Sequence, residues 1–266
     1  MSRFSWSDNM KKKTLTIRFL YLSLGLFVLI TLVRSSLRGE YFNVLVCLLT
    51  LGLFTVPHLV ETNLRLRFPD LFEGLVLLFI FATEILGEIN CYYQRIPHWD
   101  TVLHSINGFL FAAFGFALFD IINRDAKMKF KISPLCVALV AVCFSMTVGV
   151  LWEFYEFGCD AILHTDMQKD TYVGEIYTVL LDKEKSNTVI PVRNMQTVAL
   201  YCLDGEGELR EVVLDGYIDI GLMDTMKDLA VNLCGAIAFC IIGYAYLKRR
   251  RVSLAARFIP RVRDKV

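Results

Sequence analysis

Six apolar runs, each of about 20 residues, set the terms for this chain. They cover 15–33, 42–60, 71–90, 101–123, 133–157 and 224–247. A run of ~20 apolar residues wound as an α-helix crosses the ~30 Å hydrocarbon core of a bilayer. Lipid offers no partner to a backbone N–H or C=O, so each run is expected to be a helix rather than an isolated strand. The composition agrees, since 55% of the residues are hydrophobic, against roughly 45–50% in soluble domains. The expected fold is an all-α membrane protein, a bundle of six transmembrane helices. The first run follows Lys11, Lys12 and Lys13 as a secretory signal would, but the SSLRGE after it has no small-x-small cleavage pattern. A retained helix is therefore expected.

Lysine and arginine alternate between the connecting segments. One side collects Arg3, Lys11, Lys12, Lys13 and Arg18, then Arg65 and Arg67, then Arg124, Lys127, Lys129 and Lys131, then a tail from Lys248 to Lys265. The two short segments on the other side hold only Arg34, Arg38 and Arg95. The positive-inside rule then places both termini in the cytoplasm. The net charge of +1 gives no sign of a nucleic-acid partner. The eight cysteines include no C-x-x-C pair, and Cys47, Cys136, Cys143, Cys234 and Cys240 lie in apolar runs. Neither a disulfide framework nor a cysteine-ligated metal is expected.

Between the fifth and sixth runs, residues 163–219 are polar enough to leave the membrane. Four β-like stretches fall at 177–181, 188–192, 197–203 and 209–214, separated by the turn segments KEKSN and DGEGE. They read as two hairpins. Two hairpins alone bury little, so the insert is expected to lean on the helices or on a partner. The charge rule places it outside the cytoplasm. The expected organisation is a bundle of 1–162 with 220–250, an extracytoplasmic β-hairpin insert at 163–219, and a basic cytoplasmic tail at 251–266.

The ionisable residues within the runs gather at the outer level. Asp100 and His104 open the fourth run four residues apart, which on a helix is about 40° of rotation, with Asn107 on the same stripe. Glu153 and Glu156 close the fifth run, and Asp160 extends their face. Asp224 and Asp228 open the sixth, with Asn232 a turn further in and Gly235 placed to let a neighbouring helix approach. Glu84 and Glu88 close the third. Asp100 and Asp224 suit the positive end of a helix, and helix capping or a structural polar network is the plain alternative for them. Carboxylates at helix C-terminal ends do not fit that account. His98 and His164 read as interfacial residues, and Trp99, Trp152, Tyr92 and Tyr93 as an aromatic belt.

Carboxylates packed together need shared protons, a bound cation or basic partners. Arg95, Lys227 and His104 are the local basic candidates, too few for so many acids. The expected cofactor is a divalent cation. Oxygen ligands suit Mg, Mn or Ca, and His104 admits Zn. Asp100, His104, Glu156, Asp224 and Asp228 are the candidate ligands, with Glu84, Glu88 and Asn232 behind them. Glu153, Glu156 and His104 are the candidate acid–base groups. No nucleophilic triad and no glycine-rich phosphate loop accompanies them.

At these residues the chain resembles the YjdF-type family of bacterial inner-membrane proteins, whose function is uncharacterised. The likeness rests on PHWDTVLHSINGF (97–109), LWEFYEF (151–157) and DTMKDLAVNLCGA (224–236) in that order. More loosely, the chain is similar to the VanZ-like membrane proteins, which by analogy implies envelope or antibiotic-resistance biology. The resemblance implies a multi-pass protein of the bacterial plasma membrane, and a site rather than a reaction. The insert departs from the shorter family members. The expected function is metal-dependent hydrolysis or group transfer on a lipid or envelope precursor at the outer leaflet. A proton- or cation-coupled transporter is one alternative. A non-catalytic envelope protein that recruits a partner through its insert is the other.

Overall fold

The computed structural model describes residues 13–63, 66–124, 132–249 and 255–262. Arg3, Lys11, Lys12, Arg65, Lys127, Lys129, Lys131 and much of the basic tail lie outside the described residues. In chain order the helices are α1 (Leu15–Arg38), α2 (Tyr41–Leu53), α3 (Val56–Asn63), α4 (Asp70–Phe81), α5 (Tyr92–Arg95), α6 (Trp99–Arg124), α7 (Pro134–Leu163) and α8 (Leu222–Arg249). A π-helical segment, Ala82–Ile89, continues α4. Leu66–Arg67 (β1) pairs antiparallel with Arg261–Val262.

Among the described residues five stretches are long and apolar enough to cross a membrane: Leu15–Arg38, Tyr41–Asn63, Trp99–Asn123, Pro134–Leu163 and Leu222–Lys248. These correspond to five of the six expected runs. The run expected at 71–90 is helical from Asp70 to Ile89 but divided between α4 and the π-helix. Its acidic content explains why it stands apart, because Asp70, Glu73, Glu84 and Glu88 all fall within it. A π-helix widens the turn from i→i+4 to i→i+5 hydrogen bonds, a departure common at functional sites. Gly87 leaves room for Tyr93 here, since a β-carbon on it would stand 2.4 Å from the Tyr93 ring.

The chain divides into two compact units, Met1–Leu151 with Asp228–Val266, and Trp152–Lys227. The core of the first is two apolar clusters. Leu110, Ala113, Phe116, Val137, Ala141, Ala236 and Phe239 form one, and Val28, Cys47, Leu77 and Ile85 belong to the other. Small residues bring α6 and α8 into backbone contact. A β-carbon on Gly108 would lie 1.9 Å from the Asn232 carbonyl oxygen, and one on Gly235 would lie 1.9 Å from that of Ser105. Each helix thus offers its glycine to the other's carbonyl, the close approach that small residues permit where lipid supplies no hydrophobic drive. Across the same contact the buried Ser145 hydroxyl of α7 donates to the Gly108 carbonyl at 2.9 Å.

A second polar feature ties the start of α1 to α3 and α4. Lys13 is buried and donates to Glu61 at 2.8 Å and to Glu73 at 2.5 Å. The Tyr21 hydroxyl donates to Glu73 at 2.8 Å, and the Phe68 N–H to Glu61 at 2.7 Å. A lone buried charge would be costly, and the lysine between two carboxylates offsets that cost. Thr14 caps α1 by accepting from the Ile17 N–H, and Gly39 ends it in the left-handed conformation at φ 71°.

The second unit carries six short strands as two-stranded antiparallel ribbons: β2 (Tyr172–Val173) with β7 (Tyr217–Ile218), β3 (Ile176–Thr178) with β4 (Ile190–Val192), and β5 (Val198–Leu203) with β6 (Leu209–Leu214). Both expected hairpins form. The first is shorter than its sequence suggests, because 179–181 pass into the turn. The Asp182 carboxylate holds that turn by accepting from the Thr188 and Glu184 N–H groups and the Ser186 hydroxyl.

The glycine contacts give the first test. Gly235→Leu or Gly108→Leu forces α6 and α8 apart and should cost about 1–3 kcal/mol or more, as overpacking does. Gly25→Leu, in α1 with nothing within 4 Å of the added carbon, should be silent. Thermal unfolding in detergent micelles measures the difference.

Candidate metal-binding site

The site begins with the α6–α8 contact. Asp100 and His104 lie on successive turns of α6, and Asp228 lies on α8. His104 Nε2 stands 3.4 Å from Asp100 Oδ1 and 3.8 Å from Asp228 Oδ2. One ligand atom from each of the three residues lies within 4.8 Å of the others, a grouping able to hold a metal ion. His104 and Asp228 are buried, and Asp100 is half-buried. Ligands at ~2.0–2.2 Å from a shared ion sit about 2.8–3.6 Å from one another. The distance to Asp100 falls within that window and the distance to Asp228 lies just beyond it, so binding an ion requires the two helices' ligands to close slightly.

Beneath the trio, one turn further along each helix, lies an amide pair. Asn107 Nδ2 donates to Asn232 Oδ1 at 3.1 Å. Asn232 is fully buried, and its Nδ2 is 3.5 Å from the Ser145 carbonyl oxygen and from Met146 Sδ. Gly149 makes room for it, since a β-carbon there would meet the Asn232 amide at 2.9 Å. The seam ends against Ala112, Ala113, Phe116, Ala236 and Phe239, all buried.

The sequence grouped eight acidic or imidazole residues with Asn232. Of these, the first unit brings together Asp100, His104 and Asp228, with Asn232 beneath them. Glu84 and Glu88 sit on the π-helix, half-buried and exposed respectively, and are not members of the trio. His98 and His164 are exposed, in the left-handed region at φ 62° and 56°. Tyr92 and Trp99 pack edge to face at 5.0 Å, and Trp152 packs on Tyr155 at 5.2 Å.

The carboxylates of the second unit have protein donors. Glu156 accepts from Trp152 Nε1 at 2.9 Å. Gln168 Nε2 donates to Glu153 Oε2 at 3.1 Å and to Thr225 Oγ1 at 2.6 Å. Asp224 accepts from the Lys169 N–H at 3.0 Å and from the Lys227 ammonium at 2.5 Å. Asp160 accepts from the Thr165 hydroxyl and the Met167 and Gln168 N–H groups. These bonds clasp residues 165–169 to the ends of α7 and α8. Gly221 completes the clasp, its positive φ of 85° bringing it against Gln168.

Sequence reasoning missed Lys13, Tyr21 and Glu73. A readable signal existed, because a lysine at the mouth of the first run and a glutamate early in the third stand at one membrane level. Gln168 gave no such signal, since its role depends on how the loop folds back.

The family described as predicted membrane protein (DUF2238) matches residues 18–249, so the chain belongs to it. This bears out the YjdF-type resemblance. No curated protein and no solved structure matches the chain.

Asp219, just before α8, supplies a pH test. Burial alone would push its carboxyl up, but the N–H groups of Thr171, Met223 and Gly221 outweigh that and hold it below the usual carboxylate range. A depressed folded pKa contributes stability above the unfolded value of about 3.9, and that contribution is lost as pH falls through the folded value. Asp219→Asn should therefore unfold at a lower temperature than wild type at pH 7. The gap between the two melting curves should close below about pH 4.

Proposed function

We propose that this member of the DUF2238 family binds a divalent cation at Asp100, His104 and Asp228 and uses it in hydrolysis or group transfer on a lipid or envelope precursor. The observation behind this reading is the convergence of one imidazole and two carboxylates from two helices, with His104 and Asp228 buried. Two carboxylates converging on one imidazole are a donor set that suits a divalent cation, whose charge both aspartates can share. One nitrogen and two oxygens suit Mn or Zn and allow Mg, leaving coordination positions for water and substrate. Such an ion would polarise a phosphoryl or carbonyl oxygen, or lower the pKa of a bound water. Asp100 and Asp228 orient the imidazole from two sides, and the buried Asn107–Asn232 pair fixes the floor beneath it. Glu153 and Glu156 keep in this proposal the acid–base roles their sequence position suggests. The candidate ligand roles of Asp224, Glu84 and Glu88 remain secondary to the trio.

The proposal extends to topology. The unbroken helical path from Asp70 to Ile89 is roughly the length of a crossing and supplies the sixth span. Six spans return the chain to its starting side. The lysine and arginine distribution supports a topology with both termini cytoplasmic and residues 163–219 outside, in the bacterial plasma membrane that the family resemblance implies. The site so placed opens to the outer leaflet, where lipid-linked substrates are in reach.

One observation favours transport as a second reading, the polar seam that continues inward through Asn107, Asn232 and Ser145. The apolar seal of Phe116 and Phe239 below it favours a closed site.

Metal analysis of the purified protein tests the main reading. About one divalent cation per chain is expected in the wild type. Asp228→Asn and His104→Ala should each weaken binding by at least 10–100-fold, the scale seen for lesser changes around metal sites. Helical circular dichroism and a single gel-filtration peak confirm folding. Equal metal content in wild type and both variants contradicts the proposal.

A further inference from the structure

The β5–β6 hairpin is a ribbon of two strands, and no third strand joins it among the described residues. Such a ribbon is marginal alone. Its side chains are apolar on both faces. Val198, Leu200, Cys202, Val212 and Leu214 share one face with Arg210, while Ala199, Tyr201, Leu203, Leu209 and Val213 share the other with Glu211, so the only charges on either face come from β6. Tyr201, Leu203, Leu209 and Val213 are all more than 60% exposed.

The turn fixes which backbone groups face outward. The Asp204 N–H donates to the Glu208 carbonyl at 2.9 Å, so 204 and 208 form a hydrogen-bonded pair. Hydrogen-bonded and non-hydrogen-bonded pairs alternate along an antiparallel ladder. In the observed register, residues 198, 200 and 202 therefore turn their N–H and C=O groups towards β6. Ala199, Tyr201 and Leu203 turn theirs to the open side. On β6 the outward groups belong to Leu209, Glu211 and Val213.

The two open edges differ in kind. β6 carries Arg210 and Glu211, the charges that ordinarily blunt an exposed edge. β5 reads VALYCL, with no charge and no proline. An antiparallel strand pair has a two-fold axis, the symmetry of most homodimers. Self-pairing of β5 about Leu200 or Tyr201 sets apolar residues against apolar residues throughout. Self-pairing of β6 about Arg210 or Glu211 would set like charges against each other, and about Val212 it would set Arg210 and Glu211 against Leu214 and Val213. We infer that β5 is a dimerisation edge, its occupant the β5 strand of a second copy of this chain, giving a four-stranded sheet ordered β6-β5-β5-β6. The added rows of Tyr201, Leu203 and Leu200 side chains then cover one another across the axis.

Proline substitution separates the two edges. Tyr201→Pro removes an outward N–H from β5 while leaving its bonds to β6 intact, and Val213→Pro does the same on the outer side of β6. Single-particle mass measurement of the full chain in lipid nanodiscs should find dimers for wild type and Val213→Pro, and monomers for Tyr201→Pro. A second variant does not depend on the prolines being tolerated. In either symmetric register Leu200→Cys meets a cysteine across the axis, its own counterpart or the partner's Cys202. Oxidation should then give a disulfide-linked dimer on a non-reducing gel that wild type does not give. A monomeric wild type, dimers of Tyr201→Pro, or no cross-link through Leu200→Cys overturns the inference. A wild-type complex containing a different protein instead of a second copy also overturns it.

Discussion

The contact between α6 and α8 is the constraint on which the candidate site depends. Lipid tails are as apolar as leucine, so two helices gain little by hiding apolar faces from them. What brings them together is dispersion at very short range, and Gly108 and Gly235 make that range available. Once the backbones touch, the next turns towards the helix starts have no freedom to diverge. Asp100 and His104 on one helix and Asp228 on the other are then held within a few ångströms of each other. The Asn107–Asn232 hydrogen bond lies at the glycine contact itself, beside the approach of Gly108 to Asn232, and pins the register. Burying three such groups costs stability unless something neutralises them, which the proposed cation would do.

The second unit applies a different logic to similar residues. Its carboxylates serve as hydrogen-bond acceptors, for donors of a loop folded back over helix ends at Glu153, Asp160 and Asp224, and for side chains of their own helices, Trp152 at Glu156 and Lys227 at Asp224. Gln168 bridges Glu153 and Thr225, the Lys169 N–H reaches Asp224, and three donors converge on Asp160. Carboxylates at the end of α7 face an unfavourable helix dipole, and these donors compensate for it. The strands beyond this clasp have little to pack against within their own unit, which leaves the β5 edge available.

How much was legible follows from the range of each interaction. Hydropathy is a property of one segment, so five helices able to cross a membrane could be read directly, though α1 and α7 run on to Arg38 and Leu163, five and six residues past their expected ends at 33 and 157. The π-helix could not, because the turn widens within a run whose apolar character continues to Ile89. The helix-face argument found Asp100 with His104, and the Gly235 argument found the neighbour's approach. The level of Asp228 on the sixth run groups it with them, but that its helix touches theirs through Gly108 and Gly235 is something spacing alone does not encode. Glu153, Glu156 and Asp224 looked equivalent to the trio by residue type; the loop donors to Glu153 and Asp224 carry no periodicity to read, whereas the Trp152 donor to Glu156 is an i, i+4 pair on α7. The hairpins were readable from alternation and turn residues, but the first is cut short by the Asp182 turn.

The central claim is that His104 and the two aspartates are ligands of one ion. Pulsed electron paramagnetic resonance of the Mn²⁺-loaded protein tests it directly, since a directly bound imidazole imprints nitrogen modulation on the signal. The account predicts that modulation in the wild type and its disappearance in His104→Asp, which replaces nitrogen with oxygen while keeping a ligand. A bound Mn²⁺ signal without nitrogen modulation, or one unchanged in His104→Asp, would contradict it.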